Sequence, residues 1–136
     1  MAAQSDNPKI TITLTGRRPV TVAKSEWPIL AEASDFDHDG QVECQSNVRE
    51  RWRITVRRHE DGRAIVYGVY RYETNFQNAR DYDVRGGELV EADDIEAAIQ
   101  RVGAWMRDHS GHENGDAARF DAIIRECLAN LPAEEL

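Results

Sequence analysis

The sequence predicts an α+β fold: a mainly antiparallel sheet of four to six strands, built from two hairpins, with two C-terminal helices packed on one face. Three observations carry that expectation. Two runs rich in β-branched and aromatic residues flank an Asp61-Gly62 pair, the strongest short-range hairpin signal in a sequence. Two earlier alternating segments, Lys9–Leu14 and Pro19–Val22, bracket the turn Thr15-Gly16-Arg17-Arg18. The last third of the chain then changes from period two to helical spacing. Strands first and helices last is the order of an α+β domain, not of βαβ repeats.

The elements follow in chain order. Residues 1–8 are expected to be a loose tail before a single domain, 9–136. In the first hairpin Ile10, Ile12 and Leu14 alternate with threonines, and Pro19 opens the return strand, a position that tolerates proline. Ser25 reads as an N-cap, with Pro28 in the first turn of a short helix whose apolar side is Trp27, Leu30 and Ala31 and which stops near Ser34. Trp27 belongs in the core. A polar connection follows, with a short strand over Gln41–Gln45.

The central hairpin spans Arg51–Tyr72. A two-residue Asp61-Gly62 loop would pair Val56 with Tyr67, Ile54 with Val69 and Trp52 with Arg71, and put Ile65 on that same apolar face. The opposite face would carry Arg51, Arg53 and Arg57 beside Tyr70 and Tyr72. A three-residue loop would shift the register and regroup the second strand. Asn75–Val84 is polar, Gly86-Gly87 marks a tight turn, and Leu89-Val90 suits a last short strand. Asp93 or Asp94 caps a helix with Ile95, Ala98, Ile99, Val102 and Met106 on one stripe. Asp116 caps a second, with Phe120, Ile123, Ile124, Cys127, Leu128 and Leu131, and Pro132 stops it.

Charge separates the function classes. The chain of 136 residues carries a net charge of −8, which argues against a general binder of nucleic acids or anionic membranes and permits an acidic surface that meets a basic partner. The distribution is uneven. Residues 28–47 hold five acidic groups and no basic one, and residues 93–136 hold ten acidic against four basic. Residues 48–74 are the basic exception, with seven basic against four acidic. No apolar run approaches the length of a membrane span, no secretory leader is expected, and the isolated Cys44 and Cys127 read as reduced thiols, so a cytoplasmic setting is expected.

No catalytic or cofactor signature emerges. Phosphate-cradling glycine motifs do not occur, no base is identified for Cys44, and Cys127 lies on an apolar stripe. His109 and His112 are separated by Ser110-Gly111, which disfavours a shared helix turn, so no zinc site is expected. Asp35-x-Asp37-x-Asp39-Gly40, followed by Glu43, resembles the start of an EF-hand loop, but Ser46 stands where the bidentate glutamate is needed. Any calcium binding would be weak, and neither metal nor cofactor is assigned.

The run Arg51–Tyr72, together with the ending Glu126-Cys127-Leu128-Ala129-Asn130-Leu131-Pro132-Ala133-Glu134-Glu135-Leu136, resembles small accessory proteins of bacterial conjugative and integrative mobile elements. The resemblance implies a bacterial cytosol and an element that persists in a host, a setting in which small acidic proteins antagonise host defence, some by imitating the charge of DNA. The expected function is therefore a non-enzymatic acidic protein-binding module, anti-CRISPR-like and DNA-mimicking, whose partner is a basic protein of a host defence nucleoprotein complex. Its candidate contacts are Asp35, Asp37, Asp39, Glu43, Asp108, Glu113, Asp116 and Asp121. The alternatives are a nucleic-acid regulator using Arg51, Arg53, Arg57, Tyr70 and Tyr72 as a stacking face, and the weak calcium module.

Overall fold

The computed structural model describes residues 7–34, 48–74, 80–110 and 117–133. Six antiparallel strands form two sheets. β1 (Lys9–Ile12) and β2 (Val20–Ala23) make the first hairpin. β3 (Ile29–Ser34), β4 (Val48–Arg58), β5 (Arg63–Thr74) and β6 (Tyr82–Glu91) make a four-stranded sheet in sequence order. A 3-10 turn over Ala92–Asp94 leads into α1 (Ile95–His109), and α2 is Ala117–Ala129.

Two sequence expectations are corrected here, and a choice between two hairpin loop lengths is decided. The segment after Trp27 is strand β3, not a short helix; Pro28 precedes the strand, Ala31 and Ala33 lie buried on its core-facing side opposite Val56 and Ile54, and the partly buried Leu30 sits at a register shift between Ile29 and Ala31. Gly86 and Gly87 lie inside β6, not in a tight turn. The central hairpin has a three-residue loop, Glu60-Asp61-Gly62, closed by the amide of His59 donating to the carbonyl of Arg63 at 2.8 Å. Gly62 sits at φ 99°, a left-handed conformation that glycine adopts without penalty. Asp61 holds the turn by accepting from the Arg63 amide and guanidinium, both at 2.9 Å, and these contacts hold its carboxyl down at about 2.

The extra loop residue sets the register. Trp52 opposes Tyr70, Ile54 opposes Gly68 and Val56 opposes Val66. These side chains, with Ala64, face the helices and join Ile99, Val102 and Met106 of α1 and Phe120, Ile123 and Cys127 of α2 in the main core. Tyr67 and Ile65 turn to the other face, where they pack with Ile12, Leu14, Trp27 and Leu89 in a second core beneath the first hairpin. The sheet is thus covered on both sides, by helices on one and by a β-hairpin on the other.

Close approach explains two glycines. A side-chain carbon on Gly87 would lie 2.8 Å from the Thr13 carbonyl oxygen and 3.0 Å from that of Val66. There the Thr15 amide donates to the Gly87 carbonyl at 2.9 Å, and the Gly87 amide donates to the Thr15 hydroxyl at 3.1 Å. Gly68 makes room on the other face for Met106.

Candidate functional site

The register decides what becomes of the arginine strand. Arg51, Arg53, Thr55 and Arg57 share a face with Arg71, Val69, Tyr67 and Ile65. Tyr70 and Tyr72 do not belong to it, which corrects the expected arginine-tyrosine stacking face. Tyr70 is fully buried in the main core, and Tyr72 packs against that core and stacks on Tyr82 at 4.9 Å. A base-stacking platform needs exposed rings beside cations, and this register separates them.

Arg57 is 7 % exposed. Its Nε donates to the Tyr67 hydroxyl and its Nη1 to the Trp27 carbonyl, each at 2.9 Å. Thr55 donates to Glu32 at 2.7 Å, tying β4 to β3. Between this face and the first hairpin lies a cleft of about 440 Å³.

The acidic candidates fare unequally. Asp35, Asp37, Asp39, Glu43, Glu113 and Asp116 lie outside the described residues, as do Cys44 and the EF-hand-like turn. Asp108 and Asp121 are exposed and flank Arg107, at 3.4 and 3.7 Å. Arg107 offsets part of their charge.

A different acidic surface emerges at the opposite end of α1. Two clefts, of about 630 and 640 Å³, share Leu30 and Arg58. The first adds Ile29, Pro28, Glu26 and Glu60, and the second adds Ala92, Leu131, Asp93 and Glu96. Ile29 is 49 % exposed and lines the first of these clefts. Glu26, Glu60, Asp93 and Glu96 are exposed around the apolar floor, so the lining offers four carboxylates against the guanidinium of Arg58. This groove lies about 18 Å along α1 from Asp108, at about 1.5 Å per residue. The sequence alone hides it, because Leu30 also fits the apolar stripe of a short helix. A proline followed by β-branched Ile29 is the signal that pointed to a strand start instead.

Cys127 lies in the main core with its thiol 4.0 Å from the Ile54 carbonyl oxygen. Burial, reinforced by Glu32 and Glu126, raises the thiol from 9.0 to about 12. The native thiol should therefore resist iodoacetamide at pH 8 and react only on unfolding. Peptide mapping checks this, and rapid alkylation of the native Cys127 peptide would contradict its burial. Because the folded value lies above the unfolded one, the associated stability is present below about pH 9 and is lost as pH rises toward 12.

Among the described residues no group of histidine, cysteine, aspartate and glutamate side chains could hold a metal ion, and no helix is long and apolar enough to cross a membrane. No family model, curated protein or solved structure matches this chain.

Proposed function

We propose that this chain is a non-enzymatic protein-binding module whose acidic surface meets a basic partner. The observation that carries the reading is the groove around Leu30 and Arg58, where an exposed apolar floor is rimmed by Glu26, Glu60, Asp93 and Glu96 in a chain of net charge −8. Its occupant is a protein segment with a leucine-like anchor between lysines or arginines. The anchor removes Ile29 and Leu30 from water, and the rim steers the cationic flanks and fixes their register. In the mobile-element setting that the sequence resembles, such a partner is a basic, nucleic-acid-handling protein of host defence, which an acidic inhibitor occupies in place of DNA.

The test uses a fluorescent peptide of alternating lysine and leucine, with single- and double-stranded DNA as rival probes. Peptide binding should weaken with salt and fall about tenfold, or about 1.4 kcal/mol, in the Glu60→Lys/Glu96→Lys double variant. It should fall similarly in Ile29→Asp. The reversal Asp108→Lys/Asp121→Lys should change it less than twofold. Equal losses in the two charge-reversed variants would mean attraction by net charge alone and would remove the groove as the site. A salt-sensitive DNA shift lost in Arg53→Ala would replace this reading with a nucleic-acid one.

A further inference from the structure

We propose that the outer face of the first hairpin binds the phosphate backbone of a nucleic acid, without reading its bases. Alternation builds the face. Ile10, Ile12 and Leu14 turn inward to the second core, so Lys9, Thr11 and Thr13 are exposed, joined by Thr21 of β2. Lys24 is exposed just past β2, where its amide donates to the Pro8 carbonyl at 2.9 Å and holds it beside Lys9. Arg17 and Arg18 are exposed in the turn at the other end. Residues 7–25 contain these four cations and no carboxylate. Among the described residues, none of the four forms an ion pair.

The chemistry of the face selects its occupant. Lysine, arginine and threonine are side chains that contact phosphate oxygens. The Thr11 and Thr21 hydroxyls meet at 2.9 Å, which spends one hydroxyl proton and leaves the other for an incoming oxygen. A protein partner would want an apolar anchor at the centre of its footprint. The exposed large apolar side chains, Ile29 and Tyr82, lie outside this hairpin. Residues 7–25 also lack any aromatic ring on which a base could stack, so contact is confined to the backbone. From Lys9 to Thr15 the ribbon runs about 20 Å at about 3.3 Å per residue, beside about six phosphates of one duplex strand. The net charge of −8 counts against nucleic acid for the chain as a whole, but distance decides. The exposed carboxylates of Glu96, Asp108, Asp121 and Glu126 belong to helices on the opposite side of the sheet. The hairpin layer alone lies about 10 Å from the sheet, already more than the Debye length of about 8 Å at physiological salt. The local cations therefore prevail. Glu26, the next carboxylate after Lys24, lines the acidic groove and offsets part of the charge at that end, so the turn arginines dominate.

Fluorescence anisotropy of the full chain with a short labelled DNA duplex tests this, with polyglutamate as the rival polyanion. Binding is expected below about 100 μM at about 50 mM salt and should weaken about a hundredfold by about 200 mM, the slope of about four phosphate contacts. A second duplex of different sequence should bind within about twofold. Arg17→Ser/Arg18→Ser should weaken binding about tenfold or more and flatten the salt slope by about two. Its thermal midpoint should stay put, since both side chains are exposed. Lys9→Gln/Lys24→Gln should weaken binding about threefold. Arg53→Ala, in the cleft beneath the hairpin, should leave it unchanged. None of the four cations lines the acidic groove, so peptide and duplex binding stand or fall separately. No duplex binding at low salt, unchanged affinity in the Arg17/Arg18 variant, loss in Arg53→Ala, or polyglutamate binding as tightly as the duplex would each overturn the assignment.

Discussion

Replacing Trp52 with alanine is expected to destabilise the protein by about 3–5 kcal/mol. The indole is fully buried at the centre of β4. It meets Phe120 edge-on at 5.0 Å and Tyr70 at 5.4 Å, and the Arg119 guanidinium lies 4.7 Å from its ring. Its loss removes the transfer energy of a large apolar group and leaves a cavity between two rings that are fixed by strand and helix. Each aromatic pair adds roughly 0.5–1.5 kcal/mol beyond burial. A domain of this size has only about 5–15 kcal/mol in hand, so the variant should unfold at much lower urea. Val69→Ala, on the hairpin side and half-buried, should cost about 1 kcal/mol or less. Urea midpoints measured at pH 7 decide the matter. A loss below about 1 kcal/mol for Trp52→Ala, or a larger loss at Val69, would mean the sheet faces are reversed.

Gly87→Ala should destabilise by about 2 kcal/mol despite adding only a methyl group. Three magnitudes compete. Alanine narrows the unfolded ensemble and gains roughly 0.4–1 kcal/mol. Overpacking costs roughly 1–3 kcal/mol. The obstructing atoms include the backbone oxygens of Thr13 and Val66, which cannot swing aside as a side-chain tip can. Shifting them strains the two Thr15–Gly87 hydrogen bonds, each worth roughly 0.5–1.5 kcal/mol. The unfavourable side prevails. A matched control is Thr15→Val, which removes only the hydroxyl acceptor and should cost about 1 kcal/mol. Equal or greater stability of Gly87→Ala in thermal melts would show that the hairpin does not sit as close to β6 as described.

The sequence carried much of the scaffold. Both C-terminal helices were legible because their apolar residues recur at helical spacing and a proline ends the second. The central hairpin was legible from Asp61-Gly62, yet its register was not, since that dipeptide serves loops of two or three residues equally. One residue of loop moved Tyr67, Val69 and Ile65 to one face and Tyr70 to the other. β3 is hidden in the sequence because Ser25 and Pro28 satisfy the local rules for a helix start, whereas pairing with β4 is a distant contact that local rules omit. Gly86-Gly87 looked like a turn because the hairpin that approaches it lies far earlier in the chain. The groove and the cleft were hidden for the same reason. Arg57 faces the Trp27 carbonyl, and Leu30 and Arg58 join residues near Asp93 and Leu131, only once the sheet is assembled.

The outer strands of the four-stranded sheet, β3 and β6, each have one residue whose backbone is already engaged from outside the sheet. On β3 the Asn130 amide donates to the Glu32 carbonyl at 2.8 Å, and on β6 Thr15 occupies the Gly87 position. An incoming extended strand, from a second copy or from a misfolded neighbour, would find a missing rung on either side and could not zip along either strand without first expelling the occupant. Edge-to-edge polymerisation is the common hazard of an open sheet. Here an asparagine just past the last helix and a threonine in the first hairpin act as stoppers, and the chain can keep an open sheet in a crowded solution without closing it into a barrel.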